Sequence, residues 1–345
     1  MERVLPLIDT SSRFADGPLA PRSAIASGRF VRIRRGFYVP TSAWVDAPPH
    51  ERFRTAVAAY SRANPQAVFC GETALFLHGI PVVKVPPAID VAIASTTKLG
   101  IRPNTFCVRG ESDHAQRARF MPPPPVRRHR HAQSELVTID EFHTVPPAAA
   151  LVEVLASARF ARGLTVADGM LRRSGLDSLL DVRGVREEIE ALAFETRRKR
   201  AHDIAALART GAESPGESVS RALMHLFGFP EPTLQKEFRD SRGFIGRTDF
   251  AWDVGPGPVG EFDGWGKYFR EELTGGIDPR EVIRREKRRE NRLLALGHPV
   301  LRWDWSELEP PELFRARLLD AGLRPIRSHG NVPEVLVEGP SEDRR

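Results

Sequence analysis

Cysteine is scarce in this 345-residue chain: there are two, Cys70 and Cys107. They lie far apart and without metal-ligand spacing, so neither a disulfide framework nor a zinc site built on thiolates is expected. Long apolar runs are missing as well. None approaches the roughly 20 residues that a membrane span needs. Glu2 and Asp9 stand where a secretory signal would carry its apolar core. No repeat of solenoid period is visible. These absences predict an unexported chain in a reducing cytoplasm. Size is not lacking, since the chain is long for one hydrophobic core and predicts two or three domains.

Charge is unevenly spread. The net charge is +6, but residues 1–210 hold 30 Lys+Arg against 21 Asp+Glu, whereas residues 211–326 hold 18 against 20. Five arginines, Arg22, Arg29, Arg32, Arg34 and Arg35, crowd positions 22 to 35. A basic front suits a polyanion held through its phosphates; a solvated arginine-rich surface accounts for the charge equally well.

The pattern of apolar residues sets the organisation. "APRSAIASGRF" reads as a short helix stopping at Gly28, and "FVRIRRGFYVP" as two strands around Arg35-Gly36. A helix followed by an arginine-tipped hairpin is the outline of a winged helix. Residues 46–208 form a mixed middle region. "HERFRTAVAAYSRA" and "GETALFLHGI" have helical spacing, "AIDVAIAST", "NTFCVRG" and "SELVTIDEF" alternate like strands, and residues 146–208 read as helices. The tetraproline Pro122–Pro125 precedes the basic strand "VRRHRH", in which His129 and His131 share a face; a solvated basic strand is favoured there over a metal site. "RTGAESPG" breaks the pattern and places the main boundary near 209–216. The stretch from 327 to 345 has little to pack and reads as a frayed tail.

Four pieces then follow in order. "ESPGESVSRALMHLFGF" is a helix with Pro215 at its first position, and Ser214 with Glu217 makes a capping box in which Glu217 would return to the Ser214 amide. "GFIGRTDFAW" is a strand carrying Asp249 among aromatics, where burial needs a cation or donors, either Arg247 or a metal. "PVGEFDG" places Val259, Glu261 and Asp263 on one strand face. Two acids there can blunt a sheet edge; bridged with Asp249 by a divalent cation they would ligate instead, and magnesium suits hard oxygen donors. Last, "PREVIRREKRRENRLLALGHPVLRWDW" is a basic helix with an apolar stripe (Ile283, Leu293, Leu296) and then a strand. Its cations, Lys287 and Arg288 among them, face either solvent or a phosphodiester.

On these residues, "SPGES", "RTDFAW", "EFDG" with its following "KY", and "EKRRENRLLALGHPVLRW", the segment from about 214 to 308 resembles the PD-(D/E)xK nuclease superfamily, in its branch similar to very-short-patch-repair endonucleases. The resemblance implies an α/β multi-domain protein whose residues 212–326 form a restriction-endonuclease-like sandwich hydrolysing DNA with Mg2+ or Mn2+. Asp249 and Glu261 match the metal ligands and Glu217 the acid of the first helix. Asp263 stands where the superfamily has its lysine, as a further ligand or water-positioning group, and Lys267 would bring in the ammonium. A second resemblance covers roughly the first eighty residues: "SGRFVRIRRGFYVP" and "GETALFLHGIP" are similar to AbiEi-like antitoxin regulators of type IV toxin–antitoxin systems. It implies a DNA-binding module over residues 1–45, contacting DNA through Arg22, Arg29, Arg32, Arg34 and Arg35.

Two functions are thereby expected. One is a DNA endonuclease of repair or phage defence, with Lys287 and Arg288 on the DNA. The other is a regulator or antitoxin with a cognate toxin partner, whose nuclease-like domain has lost its lysine and needs no metal.

Overall fold

Apolar residues at every second position build the first sheet. The structure, a computed structural model, describes residues 3–10, 25–94, 98–130, 135–252, 257–264 and 279–327. Among the described residues it is mixed α/β with three separate sheets, and the chain divides into two compact units, Met1–Glu153 and Val154–Arg345. The division falls inside the stretch 46–208 that the sequence pattern reads as one middle region.

In the first unit, β1 (Ile8–Asp9), β2 (Phe30–Arg34) and β3 (Phe37–Pro40) form an antiparallel sheet in the order β1-β3-β2. The turn falls at Arg35-Gly36, with Gly36 at φ +85°, as the sequence pattern predicts. Val31, Ile33, Phe37 and Val39 point into one cluster with Trp44 and Val45 of α1 (Thr41–Asp46). Most of the helix expected before Gly28, with Arg22, lies outside the described residues.

The second sheet has six strands. α2 (Pro49–Ala63), β4 (Val68–Phe69), α3 (Gly71–Leu77), β5 (Ile89–Ile93), β6 (Gly100–Arg102), α4 (Asp113–Ala118), β7 (Val126–Arg130), β8 (Val137–Ile139) and β9 (Phe142–Thr144) follow in the chain. The strand order is β6-β7-β5-β4-β9-β8. Its core packs Phe53 and Val57 of α2 against Phe69, Ile89, Val91, Val126 and Phe142. "NTFCVRG" is not a strand: only Cys107 makes a bridge, to Arg32. α5 (Pro147–Ser157) carries the chain across the division.

Helices α6 (Phe160–Ser174), α7 (Val185–Glu190) and α8 (Glu195–Leu207) begin the second unit. α9 (Pro215–Leu226) precedes the strands β10 (Thr233–Asp240), β11 (Gly243–Ala251) and β12 (Val259–Phe262). Then come α10 (Pro279–Ala295), β13 (Val300–Trp303), α11 (Trp305–Leu308) and α12 (Pro311–Asp320). The sheet runs β10-β11-β12-β13, antiparallel except for the parallel pair β12/β13.

Period two gives this sheet two different faces. Gly260 and Phe262 turn toward α9: a Cβ on Gly216 would lie 2.0 Å from the Phe262 ring, and Trp303 Nε1 donates to Ser220 Oγ at 2.8 Å. Val259, Ala251, Phe238 and Ile245 instead form a cluster with Leu293 of α10. The sheet is thus covered on one face by α9 and on the other by α10. Leu293 is fully buried, but Leu296, expected beside it, is 39% exposed because the helix has ended by then; the Ile283 side chain lies outside the described residues.

Candidate functional site

The Asp249–Glu261 pair follows from strand register. Phe250 opposes Gly260 and Ala251 opposes Val259, so the next antiparallel step puts Asp249 across from Glu261, on the face covered by α10. Asp249 Oδ2 accepts the Phe262 amide at 2.8 Å, which ties the two strands together beyond the last paired residues. Donors do compensate this acid, as its position among aromatics requires. Arg247, the other partner considered, goes elsewhere, to Glu213 at 2.9 Å.

Glu261 is 6% exposed, and its neighbours are cations. Leu293 and Arg289 lie one helical turn apart on α10, so the turn that seats Leu293 on Val259 also delivers Arg289 to Glu261. Arg289 donates to Glu261 Oε1, and Arg302, the β13 residue paired with Glu261, approaches Oε2 at 3.2 Å. Both guanidiniums also hold Glu286, Arg289 at 2.9 Å. Burial raises the Glu261 carboxyl above its ordinary value while the Arg289 bond and the two positive charges oppose it. For Glu286 burial acts the same way but the arginine bonds win, and its value falls.

Glu217 is fixed from the other side of the sheet. The Ser214 hydroxyl caps α9, accepting the Glu217 amide at 3.2 Å. The returning half of the capping box differs from expectation: Glu217 Oε2 accepts the amide of Glu213, at 2.9 Å, not that of Ser214, and also Gln235 Nε2 at 3.1 Å. Burial raises the Glu217 carboxyl, the Glu213 and Ser214 bonds oppose the rise, and the Asp249 charge adds to it. Those two acids therefore feel one another.

Asp263 is half-buried at the end of β12, its amide donating to the Trp303 carbonyl at 2.8 Å and its charge raising Arg302. Lys267 lies outside the described residues. Among the described residues, the set of three whose ligand atoms lie mutually within 4.8 Å is not drawn from these acids but is Cys70, His129 and Glu153. Register sets Asp249 across from Glu261, Asp263 follows just past the end of β12, and Glu217 comes from the first turn of α9.

Of the residues expected on DNA, Arg29 and Arg35 are exposed, as are Lys287 and Arg288 on the side of α10 away from the sheet. Arg34 is not presented outward. Its guanidinium stacks 4.3 Å over the Tyr60 ring and donates to Asn104 Oδ1 at 3.1 Å, and burial lowers its pKa. Arg32, on the same strand face, is half-buried, and its Nε is enclosed.

His129 is not the solvated residue of a basic strand. Its Nε2 lies 2.8 Å from Asp90 Oδ1 and its Nδ1 2.7 Å from Glu153 Oε1. Burial pulls its pKa down, but the bonds to both carboxylates outweigh that and raise it to about 9. His131 lies outside the described residues. The residues missed in the sequence are Arg289, Arg302 and Glu286 around Glu261, and Asp90 and Glu153 around His129. Only the first three left a signal there, in the basic run of α10 and the alternation of β13.

Comparison with protein-family models, with curated proteins and with solved structures returns no match. Among the described residues, no helix is long and apolar enough to cross a membrane.

Proposed function

We propose that the second unit is a restriction-endonuclease-like domain that hydrolyses DNA phosphodiester bonds with a divalent cation, and that the arginine-tipped hairpin of the first unit is a DNA-binding wing. The observation that carries this reading is the placement of Asp249 and Glu261 across from one another on neighbouring strands, on the face covered by α10, with Glu217 brought in by α9 from the other side of the sheet. The order helix, three antiparallel strands, helix, parallel strand, with the two helices on opposite faces, supports the same reading.

The donor set fits Mg2+ or Mn2+ in its chemistry, since Asp249 and Glu261 offer hard carboxylate oxygens and Asp263, two residues on in the chain, offers the same kind of donor. Such an ion, when bound, supplies Lewis acidity and a nucleophilic water. The chain's own residues do the rest. The Phe262 amide fixes the Asp249 carboxylate, and Glu217 and Asp263 orient water. Arg289 and Arg302 place positive charge beside Glu261, where developing phosphate charge is stabilised. Lys287 and Arg288, exposed on α10, position the backbone through phosphates.

A specific observation favours a second reading. Glu261 has both oxygens held by guanidiniums, and Asp263 occupies the place of the expected lysine. A closed arginine–carboxylate quartet needs no metal, and a regulator or antitoxin that only grips DNA or a toxin partner would keep such a quartet as structure.

Plasmid cleavage decides between them. With Mg2+ or Mn2+ the wild-type chain is expected to nick or linearise DNA and Asp249→Ala to lose that activity. Binding of duplex by both proteins with the plasmid left intact under either metal overturns the nuclease and leaves the regulator.

A further inference from the structure

We propose that Cys70, His129 and Glu153 of the first unit form a zinc site, separate from the acids of the second unit. Three elements deliver them. Cys70 follows β4 and caps α3, His129 lies on β7, and Glu153 is on α5. Their ligand atoms lie within 4.8 Å of one another, with Glu153 Oε1 2.7 Å from His129 Nδ1 and 4.0 Å from Cys70 Sγ. A cation among the three takes one sulfur, one nitrogen and one oxygen.

The surroundings are those of a built site. His129 Nε2 is held at 2.8 Å by Asp90, which is fully buried. Asp90 is itself fixed by Arg127, which donates to its carboxylate at 2.6 and 3.1 Å, and by its own backbone amide, which donates to Thr73 Oγ1 at 2.8 Å. A carboxylate on one imidazole nitrogen leaves the other, Nδ1, to face the metal, the arrangement that orients histidine ligands in zinc proteins. Glu153 Oε2 accepts the Gly71 amide at 3.0 Å, which turns Oε1 toward His129 and Cys70. Charge is met at the ligands: a thiolate, a carboxylate and a neutral imidazole match a dication, while Arg127 lies against Asp90. His129 and Glu153 keep 26% and 20% of their side-chain surface exposed, which gives entry and leaves a fourth position to water. A thiolate and an imidazole select zinc over magnesium.

A cysteine nucleophile activated by histidine is the competing use of these residues. Both His129 nitrogens face carboxylates, so neither is placed to take the Cys70 proton. On zinc binding the proton between His129 Nδ1 and Glu153 and the thiol proton leave to solvent.

The test uses the untagged full-length chain purified without chelator. Metal analysis after equilibration with Zn2+ and removal of loose ion is expected to find stoichiometric zinc in wild type and in Cys107→Ser, and none above background in Cys70→Ser. Cobalt substitution should give a thiolate-to-metal charge-transfer band that Cys70→Ser lacks while its circular dichroism stays that of wild type. Asp90→Asn, with unchanged circular dichroism, should weaken zinc by about 10–100-fold. Zinc uptake by wild type no greater than by Cys70→Ser, or a cobalt band surviving in Cys70→Ser, overturns the site. Neither result bears on plasmid cleavage.

Discussion

Glu261→Gln removes one negative charge from a partly buried group of two carboxylates and two guanidiniums, of which Glu261 is the buried member. In the native chain Glu261 and Glu286 balance Arg289 and Arg302; the variant leaves one positive charge in excess beside a residue that is 6% exposed. Breaking a buried ion pair at one partner costs about 3–5 kcal/mol. Here the cost is smaller, because Glu286 still holds Arg289 at 2.9 Å and the glutamine carbonyl still accepts one bond. About 1–3 kcal/mol is expected, the range for one buried polar interaction left unmet. At about 2–4 °C per kcal/mol for a unit of this size, Tm falls by about 2–12 °C. Thermal unfolding followed by fluorescence reads that shift, and plasmid cleavage by the same samples reads the chemistry. Cleavage should fall by about 10²-fold or more, because the variant removes one of the two carboxylates that would hold the cation. Glu286→Gln is the control: it touches the same arginines, so it should lower Tm comparably while losing far less cleavage. A Glu261→Gln protein within about 0.5 kcal/mol of wild type would refute the arginine–carboxylate quartet around Glu261. Equal loss of cleavage in both variants would refute the distinction between ligand and scaffold.

Gly216→Ala forces a methyl to within 2.0 Å of the Phe262 ring. An overpacking cost of about 1–3 kcal/mol should lower Tm, and because the Phe262 amide holds Asp249, cleavage should fall with it; an unchanged Tm would mean that α9 does not approach the sheet so closely. Arg29→Ala with Arg35→Ala should weaken duplex binding and lower its salt slope by about 0.9 for each phosphate no longer neutralised. Arg34→Ala should instead lower Tm with the slope intact, since that guanidinium lies over Tyr60; equal slopes for wild type and the Arg29/Arg35 double variant would remove the wing. Asp240 is held by Arg292 at 2.6 and 2.8 Å, and that bond depresses its carboxyl below the usual range. Its contribution is therefore present above the unfolded value of about 3.9 and is lost as pH falls through that value toward the folded one. Acid titration of Tm should show wild type losing more below pH 4 than Asp240→Asn, and identical profiles would contradict the pair.

Which parts of this molecule were legible in its sequence depends on the distance over which each is encoded. The hairpin at Arg35-Gly36, the Ser214 cap and the strands around Asp249 and Glu261 are short-range features: alternation, a glycine, a serine ahead of a proline. Each reads correctly from a few neighbours. Arg34 reads wrongly for a physical reason, because alternation says which strand face a residue occupies but not whether Tyr60, from a helix beyond the strand, will cover that face. The Glu217 cap slips by one residue for a similar cause. Gln235 from β10 meets the same carboxylate oxygen, so the side chain satisfies two elements where the local motif contains one. The Cys70–His129–Glu153 group is the extreme case. Its members come from a cap, a strand and a helix with no spacing rule between them, and only the parallel pairing of β5 with β7 sets Asp90 within reach of His129. Cysteine spacing argued against zinc because spacing describes sites built on one turn or one hairpin. Where a sheet brings together residues from separate crossovers, two cysteines with nothing near them in sequence leave one of them with a histidine and a carboxylate at ligand distance.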